Sequence, residues 1–319
     1  MTPIVEIDRL SVTFRRDGHE VRAVSELSFS LARGEVLGII GESGSGKSVT
    51  LRALIGLLPG HARVEGAVRF DGQDIARLSA AQLQRLRGAG IGMIFQEPAT
   101  ALDPVYTIGR QITETIVEHE GTDAASARAR ALELLERVAV PAAARRLDSY
   151  PHELSGGMRQ RAMIALALAC RPSVLLADEP TTALDATVQI QLLVLLRELQ
   201  RERNMAMIFV THDMGVAAEI SDRVAVMYAG RVVESGSVER VILAPRHPYT
   251  RGLLASTVQG SRRGAGLGAI PGSPPDLSDL PPGCAFAPRC AYAADACRAS
   301  VPRLEAMAEG ELRCVRPPD

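Results

Sequence analysis

Lysine is almost missing from this sequence. Of 36 basic residues, 35 are arginine and one, Lys47, is lysine. A biased genome accounts for the arginines but leaves the exception unexplained. Position 47 calls for a compact ammonium on a flexible stem, which a planar guanidinium cannot imitate. Long apolar runs are missing too. The longest extends from Ala162 to Cys170, between Arg161 and Arg171, well short of the roughly 20 residues that a membrane-spanning helix needs. The first ten residues, MTPIVEIDRL, have neither a basic n-region nor an apolar h-region, which argues against secretion and for a soluble cytoplasmic protein. Surplus charge is lacking: the formal net charge of −1 gives no reason to expect a nucleic-acid or acidic-lipid partner. Internal repeats and sustained heptads are absent as well.

Cysteine is nearly confined to one end. Cys170 closes an apolar helical run and reads as a small core residue. Cys284, Cys290, Cys297 and Cys314 crowd into the last 36 residues. In a cytoplasmic protein such a group reads as metal or cofactor ligands before it reads as disulfides.

What is present suits one α/β domain with an appendage, since 319 residues are enough to bury a sizeable core. Strand-like segments VEIDRLSVTF and VRAVSELSFSL flank a polar turn. VLGII, a buried-strand run, leads directly into GESGSGKS and the helical pattern VTLRALIGLL. AVRFDG and IGMIFQ suggest further strands. Residues from about 107 to 170 lose strand character and read as several helices. Strands return at SVLLADE, AMIFVTH and RVAVMYAG, alternating with helices, which argues for a mainly parallel sheet. From 259 to 283, Gly, Pro and Ser supply 14 of 25 residues, a linker or extended surface segment.

Three segments carry chemistry. Gly41-Glu42-Ser43-Gly44-Ser45-Gly46-Lys47-Ser48 lies between a strand and a helix and matches a phosphate-binding loop. Its glycines let successive backbone N–H groups aim at an anion, and the next helix adds its positive end. Lys47 suits the β- and γ-phosphates, and the Ser48 hydroxyl suits Mg²⁺. Asp178 and Glu179 end a buried strand, where neighbouring side chains point to opposite faces and can take different tasks. Asp178 suits the Mg²⁺ shell, and Glu179 suits orienting and deprotonating water. Ser155, Gly156 and Gly157 open a helix, a second N-terminus able to hold a phosphate.

With these segments in this order, the sequence resembles the ABC ATPase family over roughly residues 4 to 245. The resemblance implies a P-loop NTPase core with a parallel sheet, an antiparallel β subdomain and an inserted helical subdomain, all within residues 1–250. It implies ATP and Mg²⁺ as ligands, Gln96 as a residue near Mg²⁺, Asp185 in a loop after the carboxylates, and His212 at the γ-phosphate. Gln96, Glu179 and His212 form the implied catalytic set, and Phe14 is the implied adenine-stacking aromatic. In this family the site closes with a second subunit, so Ser155 would touch ATP held by the partner.

The tail is similar to the oligopeptide/dipeptide importer branch: Arg246-His-Pro-Tyr-Thr250, Ile270-Pro-Gly-Ser-Pro-Pro, Gly283-Cys-Ala-Phe-Ala-Pro-Arg-Cys290, and LSGGM in place of LSGGQ. That branch imports peptides, and sometimes nickel. The implied partners are a second ATPase, identical or paralogous, two membrane permeases and an extracytoplasmic solute-binding protein. The implied location is peripheral, on the cytoplasmic face of the cell membrane. Some members carry a [4Fe–4S] cluster in this tail. The cysteines here are separated by 5, 6 and 16 residues, unlike the pairs about two to four apart in structural zinc sites, and four thiolates can hold an iron–sulfur cluster. Residues 251–319 are thus expected to form an extension with a [4Fe–4S] centre, zinc or free thiols remaining open. Exporters, and ABC ATPases acting on DNA or ribosomes, are the competing classes.

Overall fold

The computed structural model describes residues 2–16, 19–182, 184–256 and 270–318. The chain forms two compact units, one from residues 1–76 and 209–319, the other from residues 77–208.

The first unit opens with β1 (Val5–Arg16) and β2 (His19–Leu31), an antiparallel pair in which Val12 faces Val24 and Phe14 faces Val21. β3 (Val36–Ile40) is buried at every position and runs into the loop that precedes α1 (Lys47–Leu54). β4 (Ala62–Phe70) pairs antiparallel with the other edge of β1, and the short β5 (Gln73–Asp74) follows it. These four strands, in the order β2-β1-β4-β5, form the expected antiparallel β subdomain.

The second unit begins with α2 (Ala80–Ala89), whose Ser79 and Gln82 form a reciprocal capping box. It continues through β6 (Ile91–Ile94), α3 (Pro98–Ala101), α4 (Ile108–Glu120), α5 (Ala124–Arg137), α6 (Ala143–Arg146) and α7 (Gly156–Ala167). α4 buries Ile108, Ile112 and Ile116, one stripe at four-residue spacing. Thr107 and Asp123 cap α4 and α5 by accepting backbone N–H groups, which satisfies donors that a helix start leaves free. β7 (Val174–Asp178), parallel to β6 and fully buried, precedes α8 (Ala186–Arg203). β8 (Ala206–Thr211), also fully buried, carries the chain back to the first unit.

There the chain adds α9 (Met214–Ile220), β9 (Arg223–Tyr228), β10 (Arg231–Ser237), α10 (Val238–Leu243) and α11 (Pro248–Ala255). The tail contributes α12 (Asp295–Ala299), β11 (Glu305–Met307) and β12 (Gly310–Leu312). The strands run in the order β11-β12-β10-β9-β3, with β3 and β9 parallel and the other neighbours antiparallel.

Sequence patterning gave no sign of β10, because Glu234 stands at a strand position with no exposure at all. Its carboxylate accepts from the Arg240 guanidinium and from the Arg246 and His247 backbone N–H groups, which offsets the cost of burying a charge. Nor did the tail read as structured. Yet Phe286 is buried with Tyr228 and Tyr249 in one core cluster, with Cys284 and Cys290 packed against it. Residues 259–269, the first part of the expected linker, lie outside the described residues. Among the described residues no helix is long and apolar enough to cross a membrane.

Candidate nucleotide site

The loop between β3 and α1 is shaped by its glycines. Gly46 has φ 100°, a region that costs other residues dearly, and a Cβ there would strike the Ala23 carbonyl. A Cβ on Gly41 would strike the carbonyl of Met227. Lys47 is buried, and its ammonium donates to the carbonyls of Gly41 at 2.8 Å and Glu42 at 3.0 Å. The sole lysine therefore lies folded over its own loop, with Ser48 beside it at the start of α1. The Gly230 N–H donates to the Ser45 carbonyl at 3.0 Å, tying the loop to the turn after β9. The Ser45 hydroxyl is buried yet finds no hydrogen-bond partner among the described residues. A buried orphan hydroxyl in a Gly-rich loop before a helix N-terminus fits an anionic ligand. A cavity of about 520 Å³ runs along Glu42, Ser43, Gly44 and Ser45, with Pro274 to Ser278 of the tail among its lining residues.

Two further expected residues belong to this unit. Phe14, half-buried on β1, places its ring 6.1 Å from that of His61. His212 is exposed between β8 and α9.

The second unit holds the rest. Asp178, 2% exposed, ends β7. Glu179 lies just beyond the strand at φ 45°, so a turn of the backbone, rather than the strand pleat, separates the two carboxylates. Left-handed backbone in a non-glycine residue stores strain, and such residues gather at functional sites. Thr182 donates its hydroxyl to the Glu179 carboxylate at 3.0 Å. Ser155 caps α7 by accepting from the Met158 N–H, with Gly156 and Gly157 forming the first turn. Asp185 caps α8, accepting from Thr187 and Val188, and Gln96 is exposed two residues after β6. Ala183 lies outside the described residues. Two residues the sequence did not single out are Thr182 and Gln160. Gln160, on α7, is buried and donates to the Pro180 carbonyl at 2.6 Å.

In the tail, Cys284, Cys290, Cys297 and Cys314 line one small cavity together with His247 and Phe286. Burial pushes the thiols of Cys284, Cys290 and Cys314 up from their ordinary value. His247 is driven the other way, down to about 3, by burial. Cys170 is buried, its thiol pushed up to about 11 by burial, as an inert core residue would be.

Residues 24–182 match the ABC transporter family, and residues 233–297 match the oligopeptide/dipeptide transporter C-terminal region. Cys314 alone of the four tail cysteines lies beyond that match. The chain is 48% identical to the dipeptide transport ATP-binding protein DppD of Escherichia coli, over 99% of this chain and 97% of that protein. It is 49% identical to the oligopeptide transport ATP-binding protein OppD of Salmonella typhimurium, over 98% of this chain and 94% of that protein. Among solved structures, the dimeric ATP-binding cassette MJ0796 in a post-hydrolysis state bound to ADP and Pi superposes with a TM-score of 0.67. That likeness carries 30% identity and covers 73% of this chain and 98% of that one. The chain belongs to the ABC transporter ATP-binding proteins, in the group that carries the oligopeptide/dipeptide transporter C-terminal region.

Proposed function

We propose that this chain is the ATPase subunit that drives import of di- or oligopeptides through a pair of membrane permeases. The observation that carries the reading is the union, in one chain, of an ABC cassette with the oligopeptide/dipeptide C-terminal region. Lys47 leaves the Gly41 and Glu42 carbonyls to meet the β- and γ-phosphates, and the Ser45 hydroxyl gains its missing partner from the nucleotide. Ser48 and Asp178 would hold Mg²⁺, with Gln96 near it, and the ion would neutralise phosphate charge there; Phe14 would stack on the adenine. Glu179 takes a proton from water as it attacks the γ-phosphorus, and His212 steadies the departing phosphoryl group. Ser155, Gly156, Gly157 and Asp185 serve the nucleotide of a second ATPase subunit, so that ATP clamps two cassettes together and hydrolysis parts them.

The assembly works at the cytoplasmic face of the membrane and receives solute from an extracytoplasmic binding protein. Its test is ATP turnover by the complex purified from membranes, with peptides or nickel offered on the binding protein. Stimulation by peptides supports the reading. Stimulation by nickel alone moves the solute. Co-purification with nucleic acid or ribosomes instead of permeases overturns it.

The four tail cysteines are further read as the ligands of a [4Fe–4S] centre. Their shared cavity, which His247 also lines, supports that reading, since four thiolates can hold such a cluster. Among the described residues no three His, Cys, Asp or Glu side chains are arranged to hold a metal ion, and zinc and free thiols are the alternative readings. Such a centre would supply a redox-active, oxygen-sensitive staple for the tail. Protein purified without oxygen should be brown and hold about four irons per chain, one on each thiolate. Colourless protein with one zinc contradicts the cluster and leaves the ATPase assignment standing.

A further inference from the structure

Glu42 sits inside the phosphate-binding loop, and both its backbone and its side chain are gripped by the C-terminal part of the chain. The Glu42 N–H donates to the Tyr249 hydroxyl at 2.8 Å. The Glu42 carboxylate receives both arms of Arg289, Nη1 to Oε2 at 2.7 Å and Nη2 to Oε1 at 3.0 Å. This forked geometry is the strong form of an arginine–carboxylate pair. The pair is shielded: the Arg289 side chain is 6% exposed and that of Glu42 25%.

Arg289 is itself fixed from three sides. Nε donates to the Pro271 carbonyl at 2.8 Å, Nη1 also reaches the Tyr228 hydroxyl at 3.3 Å, and the guanidinium lies 6.0 Å from the Phe286 ring centre. Tyr228, Tyr249 and Phe286 pack on one another with ring centres 4.6 to 5.4 Å apart, a rigid bed beneath the loop.

We propose that Arg289 is a positioning residue for ATP binding: it holds Glu42, and through it the loop and Lys47, and it screens the Glu42 carboxylate from the triphosphate. The path is continuous. The carbonyl of Glu42 is one of the acceptors that orient the Lys47 ammonium, so a shift of Glu42 moves the one lysine the phosphates meet. Charge acts in the same direction. With Arg289 removed, a half-buried carboxylate stands bare beside an incoming polyanion, where water screens it poorly. The C-terminal region is then a strut for the cassette's own phosphate loop. This inference rests on reading Gly41 to Ser48 as the ATP site.

The test is the dissociation constant for Mg-ATP of the full chain, with ATPase kinetics of the assembled complex. Arg289→Met should weaken ATP binding at least about tenfold, the scale of truncating one partner of a buried charge pair. KM for ATP should rise while kcat at saturation changes by less than about twofold, the signature of lost binding rather than lost chemistry. Arg289→Lys, which keeps the charge but not the fork, should fall between the two. The double variant Arg289→Met with Glu42→Gln should regain most of the affinity, because the bare carboxylate is gone. A tail that merely loosens gives no such rescue. Unchanged affinity in Arg289→Met, or losses that add in the double variant, overturns the proposal. Should Arg289→Met not fold, Arg289→Gln and its Glu42→Gln double decide by the same comparison. Failure of the unaltered chain to bind ATP would instead sink the site reading beneath it.

Discussion

The Gln160 side chain donates to the Pro180 carbonyl at 2.6 Å, joining the helix that Ser155 opens to the residue that follows Glu179. The bond is buried, so removing the donor leaves a carbonyl with no water to replace it. Gln160→Leu should destabilise the chain by about 1–3 kcal/mol, the cost of an orphaned buried acceptor. It should also release the turn that holds Glu179, lowering kcat more than ATP affinity. Thermal unfolding and ATPase kinetics together check both parts.

Glu179→Gln should leave ATP binding nearly intact and slow hydrolysis by about 10²-fold or more, the scale of lost general-base catalysis. The glutamine keeps an acceptor for the Thr182 hydroxyl and preserves the left-handed turn, so the loss isolates proton removal. The variant should also accumulate as an ATP-clamped dimer in size-exclusion chromatography. Near-normal turnover by the assembled transporter would take Glu179 out of the role.

Because Lys47 is the sole lysine, amine-reactive reagents have only it and the N-terminus to modify. Mg-ATP should protect Lys47 once its ammonium engages phosphate, and peptide mass mapping reads this directly. Equal labelling with and without nucleotide would exclude the contact. Lys47→Arg should impair binding, since the planar fork does not fit a loop closed around glycines.

His247 gives a pH signature. It is buried, its Nδ1 accepts from the Tyr249 N–H at 3.1 Å, and burial holds its pKa down at about 3. Below the ordinary histidine value of about 6.5, the unfolded chain takes up a proton that the native chain refuses. Stability should therefore be full above that pH and fall as pH drops, by up to about 1.4 kcal/mol per unit. Unfolding midpoints at pH 7, 6 and 5 should show this slope reduced in His247→Gln. Equal slopes would mean that His247 protonates in the native state.

The segments proposed to serve the nucleotide were legible in the sequence because their pattern is local. Gly41 to Ser48, Asp178 with Glu179, and Ser155 to Gly157 each put donors, acceptors or bends on a few consecutive residues. The short run between β3 and α1 admits little else. What stayed illegible depends on distant partners. Glu234 looks like a surface residue until Arg240 and two backbone N–H groups close on it. Arg289 is one of 35 arginines and is 247 residues from Glu42 in sequence. No spacing rule reveals such a pair. The short strands β11 and β12 were missed because three residues carry no readable period, and their pairing with β10 supplies the order.

The central claim is that this chain turns ATP hydrolysis into peptide import. Its most direct test is uptake of a radiolabelled dipeptide into vesicles holding the complete transporter. Peptide and binding protein are supplied on one side and Mg-ATP on the side that bears the ATPase. Accumulation should require ATP, stop with Glu179→Gln, and continue when nickel is added as competitor. Dipeptide uptake that proceeds without ATP, or no uptake of any peptide by a complex that hydrolyses ATP normally, would contradict the account.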